Sequence, residues 1–159
     1  MVERVYIETT VVSYLTARAS RDVVVAGHQQ VTHDWWDTRR TNYELCVSEL
    51  VLDEAAAGDA QAAQERLLVL QPMLVIETTT EAFELAEELL CAGALPRKAA
   101  DDAPHVAIAA TKAIPYLLTW NCRHLANAAM RPVIEAVCIA KGLKAPIICT
   151  PEELLESMP

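Results

Sequence analysis

The chain has 159 residues, 53% of them hydrophobic and 22% charged, with only 4 Gly and 8 Pro, which excludes a disordered or collagen-like polymer and suits one ordinary domain spanning 1–159. A formal net charge of −9 argues against binding nucleic acid through a basic face. It leaves open an enzyme that holds divalent cations among carboxylates, because the ions reverse the local charge.

The first strand is predicted at Arg4-Val5-Tyr6-Ile7, rich in β-branched and aromatic residues. Glu8 follows it directly. In α/β sheets ligands bind beyond the carboxyl ends of the strands, so an acid there can serve a metal; it equally suits an acidic helix start before Thr9-Thr10. From Asp22 to Arg40 the pattern predicts one long helix carrying His28, His33 and Trp35-Trp36. Adjacent tryptophans point about 100° apart on a helix, so both do not face one core. One of them is open to a partner surface or to burial under a loop.

Leu45-Cys46-Val47-Ser48 reads as the second strand, passing into a helix through Val47 to Ala57. There Leu50, Val51 and Glu54 share a stripe, while Glu49 and Asp53 lie opposite. A carboxylate on an apolar face costs several kcal/mol, on the order of a buried ion, unless it is paired or bound to metal. A stripe-edge Glu that reaches water is the plainer alternative. Met73 to Ile76 is the third strand, and Thr80 to Leu90 a helix with Phe83, Leu85, Ala86, Leu89 and Leu90 at helical spacing.

A helix from about Ala99 to Ala113 repeats the anomaly. Asp102 lies at i, i+4 from Val106 on a face continued by Ala109, Ala110 and Ala113, whereas Asp101 turns toward Lys98, His105 and Lys112. Both acids also suit a first helical turn, with Pro104 tolerated there. Tyr116 to Thr119 is the fourth strand, followed by Asn121, which offers a neutral oxygen ligand, a fixed donor or a turn residue. Pro146 to Cys149 is the fifth. Thr150, Pro151 and Glu153 then start a closing helix that buries Leu154, Leu155 and Met158.

Strands alternating with helices predict an α/β fold with a mostly parallel sheet. Five widely spaced cysteines, without a CxxC pair, predict buried reduced thiols rather than disulfides or a zinc site. No apolar run approaches the roughly 18–20 residues that span a bilayer, and Glu3 comes too early for a secretory leader. A cytoplasmic protein without membrane contact is the expectation. If Glu8, Glu54 and Asp102 meet, three carboxylates repel unless a hard cation such as Mg²⁺ or Mn²⁺ joins them.

At these residues the chain resembles PIN-domain proteins of the VapC type, the toxin ribonucleases of toxin–antitoxin pairs. The resemblance rests on four stretches in order: Val5-Tyr6-Ile7-Glu8-Thr9-Thr10, Ser48 to Glu54, Asp102-Ala103-Pro104-His105-Val106-Ala107, and Leu118 to Leu125. It implies a three-layer α/β/α domain with about five strands and metal-dependent hydrolysis of RNA. Glu8, Glu54 and Asp102 would hold Mg²⁺ or Mn²⁺, with Asn121 assisting. Thr9, Thr10 or Ser48 would order waters, and Arg123, His124, Arg18 or Arg21 would meet substrate phosphate. It further implies a homodimer and a small antitoxin partner.

Two positions depart from that pattern: Glu8 stands where Asp is usual, and Asn121 and His124 stand where a fourth acid is usual. A catalytically silent PIN-like binding module is therefore the alternative reading. A receiver-like phosphoacceptor domain is disfavoured, since no Lys follows Thr119 or Cys149 at the strand ends.

Overall fold

The computed structural model describes residues 2–155. In chain order it runs β1 (Glu3–Ile7), α1 (Thr9–Thr16), α2 (Val23–Thr38), β2 (Tyr43–Ser48), α3 (Glu49–Ala55), α4 (Ala60–Leu70) and β3 (Leu74–Ile76). It continues with α5 (Thr80–Cys91), α6 (Ala103–Thr111), β4 (Tyr116–Leu118), α7 (Arg131–Ala140), β5 (Ile147–Cys149) and α8 (Pro151–Leu155). All five strands are parallel, in the order β3-β2-β1-β4-β5. The expected α/β fold with its five strands is what the chain adopts.

β1 lies at the centre, and Val5, Tyr6 and Ile7 are all fully buried. A strand without a solvent-facing side is the mark of a parallel sheet covered by helices on both faces. α1 packs on α2, α3 and α4, while α5 packs on α6 and α7, giving the two outer layers. Tyr6 pairs with Cys46 of β2 and Leu117 of β4, so the carboxyl ends of the three strands lie level. The chain order reverses between β1 and β4. Ligands of parallel sheets bind beyond such a switch point, and Glu8 and Thr119 are the first residues past its two strands.

The long helix expected between Asp22 and Arg40 is α2, with the Asp22 carboxylate accepting from Val25 N at 3.0 Å. Its tryptophans diverge as expected. Trp35 is fully buried with its ring stacked on Tyr43, whereas Trp36 is half-buried under the Arg40 guanidinium, 4.5 Å from the ring centroid. Trp36 also lines an open groove of about 550 Å³ with Leu45, Val69 and Met73.

Three expectations need correction. The helix placed from Ala99 begins at Ala103, after a 3₁₀ turn at Arg97–Ala99. A helix begun at Ala99 would carry Pro104 beyond its first turn, where the missing N–H and the ring break the ladder. In α5 the buried stripe is Ala82, Leu85, Ala86 and Leu89, and Phe83 falls outside it, 56% exposed. Of the cysteines, Cys46, Cys138 and Cys149 are buried but Cys91 and Cys122 are exposed; all five are free thiols.

α8 starts as expected. Glu153 N donates to Thr150 Oγ1 at 3.3 Å, and Glu153 Oε1 accepts from Thr150 N at 3.1 Å, a reciprocal capping box. Leu154 is buried and Leu155 half-buried; Met158 lies outside the described residues. Thr150→Ala is expected to cost about 1 kcal/mol, read as a lower urea midpoint at unchanged slope. Among the described residues, no helix is long and apolar enough to cross a membrane.

Candidate functional site

Glu8 sits at the N-cap of α1 and is only 4% exposed. Its carboxylate accepts three hydrogen bonds: from Thr10 N at 3.1 Å, from Thr10 Oγ1 at 2.5 Å and from Thr119 Oγ1 at 2.6 Å. Those donors come from both sides of the switch point. Asn121 N donates to Thr119 Oγ1 at 2.9 Å and Trp120 N to Thr10 Oγ1 at 2.9 Å, so the two threonines are themselves held. A buried carboxylate is tolerable only with such donors around it. The two sequence readings of Glu8, helix start and inward-facing acid, describe one and the same group.

α3 buries Val51 and Ala55. Glu54 lies at the edge of that stripe, its side chain 39% exposed, rather than within it as expected from the spacing. The helix turns it toward Thr9 and His105. Glu54 Oε1 accepts from Thr9 Oγ1 at 2.7 Å and from His105 Nε2 at 2.9 Å. Burial alone would push this carboxyl up, but His105 and the Thr9 hydroxyl together hold it below the ordinary carboxylate value.

His105 is the residue the spacing misplaced. It was expected on the polar side with Asp101, yet it is 1% exposed and reaches Glu54. Because α6 begins only at Ala103, Asp101 is not on the helix and the i, i+4 relation to it does not apply. The ring Nδ1 lies 2.7 Å from Tyr6 Oη, which lies 2.7 Å from Ser48 Oγ. An ionised carboxylate only accepts, so Nε2 carries its proton toward Glu54 and, in the neutral ring, Tyr6 donates to Nδ1. Burial works to lower His105, but the bond to Glu54 and the charges of Glu54, Glu8 and Asp102 raise it above its usual value. Burial above all keeps the Tyr6 phenol protonated.

Asp102 stands at the N-cap of α6 without capping it. Its Oδ2 accepts instead from Asn121 Nδ2 at 3.0 Å, and Asn121 Oδ1 accepts from His124 N at 3.1 Å. Burial and then the charge of Glu8 push the Asp102 carboxyl up, against the opposing pull of Asn121, His105 and His124. One donor atom each from Glu8, Glu54 and His105 lies within 4.8 Å of the others. Asp102 is outside this trio and is tied through Asn121 to the segment after β4.

The remaining sequence candidates are scattered. Thr9 and Thr10 spend their hydroxyls on Glu54 and Glu8, and Ser48 is buried against Tyr6. Arg123 is exposed beside His124, whose buried Nδ1 has no partner among the described residues. Arg18 follows the far end of α1, a rise of roughly 12 Å from Glu8, and Arg21 lies beyond it. Thr119 and Tyr6 went unread as site residues because each looks like ordinary strand sequence.

No protein-family model and no curated protein matches the chain. Solved structures do. A chain of VapBC2 from Rickettsia felis, solved bound to a DNA fragment from their promoter, superposes with a TM-score of 0.57 at 15% identity, covering 92% of this chain and 98% of that one. VapC20 of Mycobacterium tuberculosis, described as a sarcin–ricin loop cleaving toxin, superposes with a TM-score of 0.60 at 17% identity, covering 77% and 93%. The chain has the fold of these VapC structures. At these identities the likeness speaks for the fold alone. Glu8 directly follows β1, Glu54 lies in the last turn of α3, and Asp102 directly precedes α6.

Proposed function

We propose that the protein is a divalent-cation-dependent endoribonuclease, acting as the toxin of a toxin–antitoxin pair. The observation that carries this reading is the meeting of Glu8, Glu54 and a buried imidazole within 4.8 Å at the switch point of the sheet. VapC20, described as a sarcin–ricin loop cleaving toxin, shares this fold and supports the same class of activity.

The donor set fits a hard cation. Among the described residues, protein donors engage Oε1 of Glu54 and Oδ2 of Asp102, leaving Glu54 Oε2 and Asp102 Oδ1 free to coordinate. Carboxylates tethered by one oxygen are positioned rather than mobile, as ligands of a metal need to be. Glu8, Glu54 and Asp102 would hold Mg²⁺ or Mn²⁺, with Asn121 orienting Asp102. Such a cation supplies an activated water for in-line attack and neutralises charge on the phosphoryl oxygens. Thr10 and Thr119 hold Glu8, and Thr9 holds Glu54. Arg123, exposed in the segment after β4, and His124 beside it would meet the RNA phosphate.

Hydrolysis of that kind leaves a 5′-phosphate and a 3′-hydroxyl. A small antitoxin protein is the natural cover for such a site, and a homodimer the natural assembly. The purified protein is expected to cleave RNA with Mn²⁺ or Mg²⁺, lose all cleavage in EDTA, and recover it when cation is restored; end-labelled substrate reports the product termini. Cleavage that persists in EDTA overturns the reading. A folded protein that neither binds cation nor cleaves is the silent binding module, which the pairing of Asn121 with Asp102 in place of a further acid favours.

A further inference from the structure

We propose that His105 is itself a ligand of the cation, joining the carboxylates of Glu8, Glu54 and Asp102 in a mixed nitrogen–oxygen site that takes Mn²⁺ in preference to Mg²⁺. This rests on the cation-dependent nuclease reading and names the chemistry of its site.

Geometry comes first. Donors cis to one another on an octahedral ion with bonds of about 2.1 Å are separated by about 3.0 Å. His105 Nε2 and Glu54 Oε1 are 2.9 Å apart, and a Glu8 oxygen lies within 4.8 Å of both. One ion can therefore meet all three with small side-chain adjustments. The ring is also ready for the task. It is fixed on α6, 1% exposed, and anchored at Nδ1 by Tyr6.

The hydroxyl pair behind the ring removes the obstacle that coordination would otherwise meet. In the cation-free arrangement with a neutral ring, Nε2 carries the proton for Glu54 and Tyr6 donates to Nδ1. A coordinating Nε2 must be bare, which places the ring's one proton on Nδ1. Tyr6 Oη then accepts from Nδ1, its own hydrogen turns to Ser48 Oγ at 2.7 Å, and the Ser48 hydrogen rotates away from Tyr6. Hydroxyls both donate and accept, so the neutral ring finds a partner for Nδ1 in either tautomer. Metal-bound histidines nearly always donate their second N–H in this manner. An imidazole ligand favours transition cations, whereas Mg²⁺ prefers oxygen and gives up its waters reluctantly.

The test compares the intact protein with His105→Gln. The Gln carboxamide can still donate to Glu54, but it has no imidazole nitrogen to offer a metal. Pulsed EPR of the Mn²⁺-loaded wild type is expected to show a directly coordinated ¹⁴N, absent from H105Q. The Mn²⁺ dissociation constant is expected to rise about tenfold or more in H105Q, with Mg²⁺ changing less than about threefold. Bound Mn²⁺ without nitrogen coupling, or unchanged Mn²⁺ affinity in H105Q, means that His105 only positions Glu54. Either result overturns the inference and leaves the nuclease reading standing if cleavage needs cation. A wild type that binds no cation and shows no cation-dependent cleavage overturns both. The wild-type spectrum decides the matter even where the variant fails to fold.

Discussion

Asp102→Asn is expected to abolish RNA cleavage while leaving the protein folded and, without cation, no less stable than the wild type. The substitution keeps the shape of the side chain, and its amide oxygen can still accept from Asn121 Nδ2, which now lies 3.0 Å from Asp102 Oδ2. What it removes is one negative charge. At a centre that neutralises a developing phosphoryl charge, losing one well-placed group costs on the order of 10²–10³ in rate. Stability moves the other way. Burial and the charge of Glu8 push the Asp102 carboxyl above its usual value, so the ionised form is less comfortable in the folded chain than in the unfolded one. A carboxyl raised on folding carries no penalty in strong acid and its full penalty once pH exceeds the folded value. At neutral pH the penalty is therefore present, and Asn removes it. Thermal melts in EDTA are the right comparison, because bound cation stabilises whichever protein holds it. A D102N protein that melts well below the wild type would mean that the Asp102 carboxylate anchors the fold rather than burdening it.

Much of the architecture was legible because the five strand runs are short, apolar and separated by helical spacing. Leu45 to Ser48 and Tyr116 to Thr119 could be placed without knowing what they pair with. The site was legible only in its charged members. Glu8, Glu54 and Asp102 stood out because a carboxylate next to an apolar stripe needs a physical excuse. His105 did not, since an imidazole among alanines reads equally as core or surface, and its face depends on where α6 begins. That starting point is fixed by Pro104 acting on the backbone, a boundary effect that stripe counting does not see. Thr119 was beyond reach for another reason. Nothing local distinguishes it from a strand threonine, and only the parallel register of β1 with β4 sets its hydroxyl on Glu8. Trp36 was half legible: its divergence from Trp35 follows from helix geometry, its cover by Arg40 does not.

Replacing Glu8 tests whether one buried group serves both the chemistry and the fold. Glu8→Ala is expected to abolish cleavage and also to lower stability by about 2–3 kcal/mol, the reverse of the stability outcome at Asp102. Two effects oppose each other here. Removing the acid relieves its repulsion of Asp102, but it strips three donors, Thr10 N, Thr10 Oγ1 and Thr119 Oγ1, of their acceptor. The repulsion acts on a half-buried, partly solvated partner, whereas the lost bonds belong to a carboxylate only 4% exposed, so the loss wins. Glu8→Asp separates the two roles. Asp is a good helix cap and keeps the charge, yet it is one methylene shorter and falls roughly 1.5 Å short of Thr119. Its melting temperature should lie between those of the wild type and E8A, and its cleavage rate should fall as the carboxylate withdraws from the ion. If E8A melts at or above the wild type, repulsion outweighs the hydrogen bonds, and Glu8 is held in the site for chemistry alone.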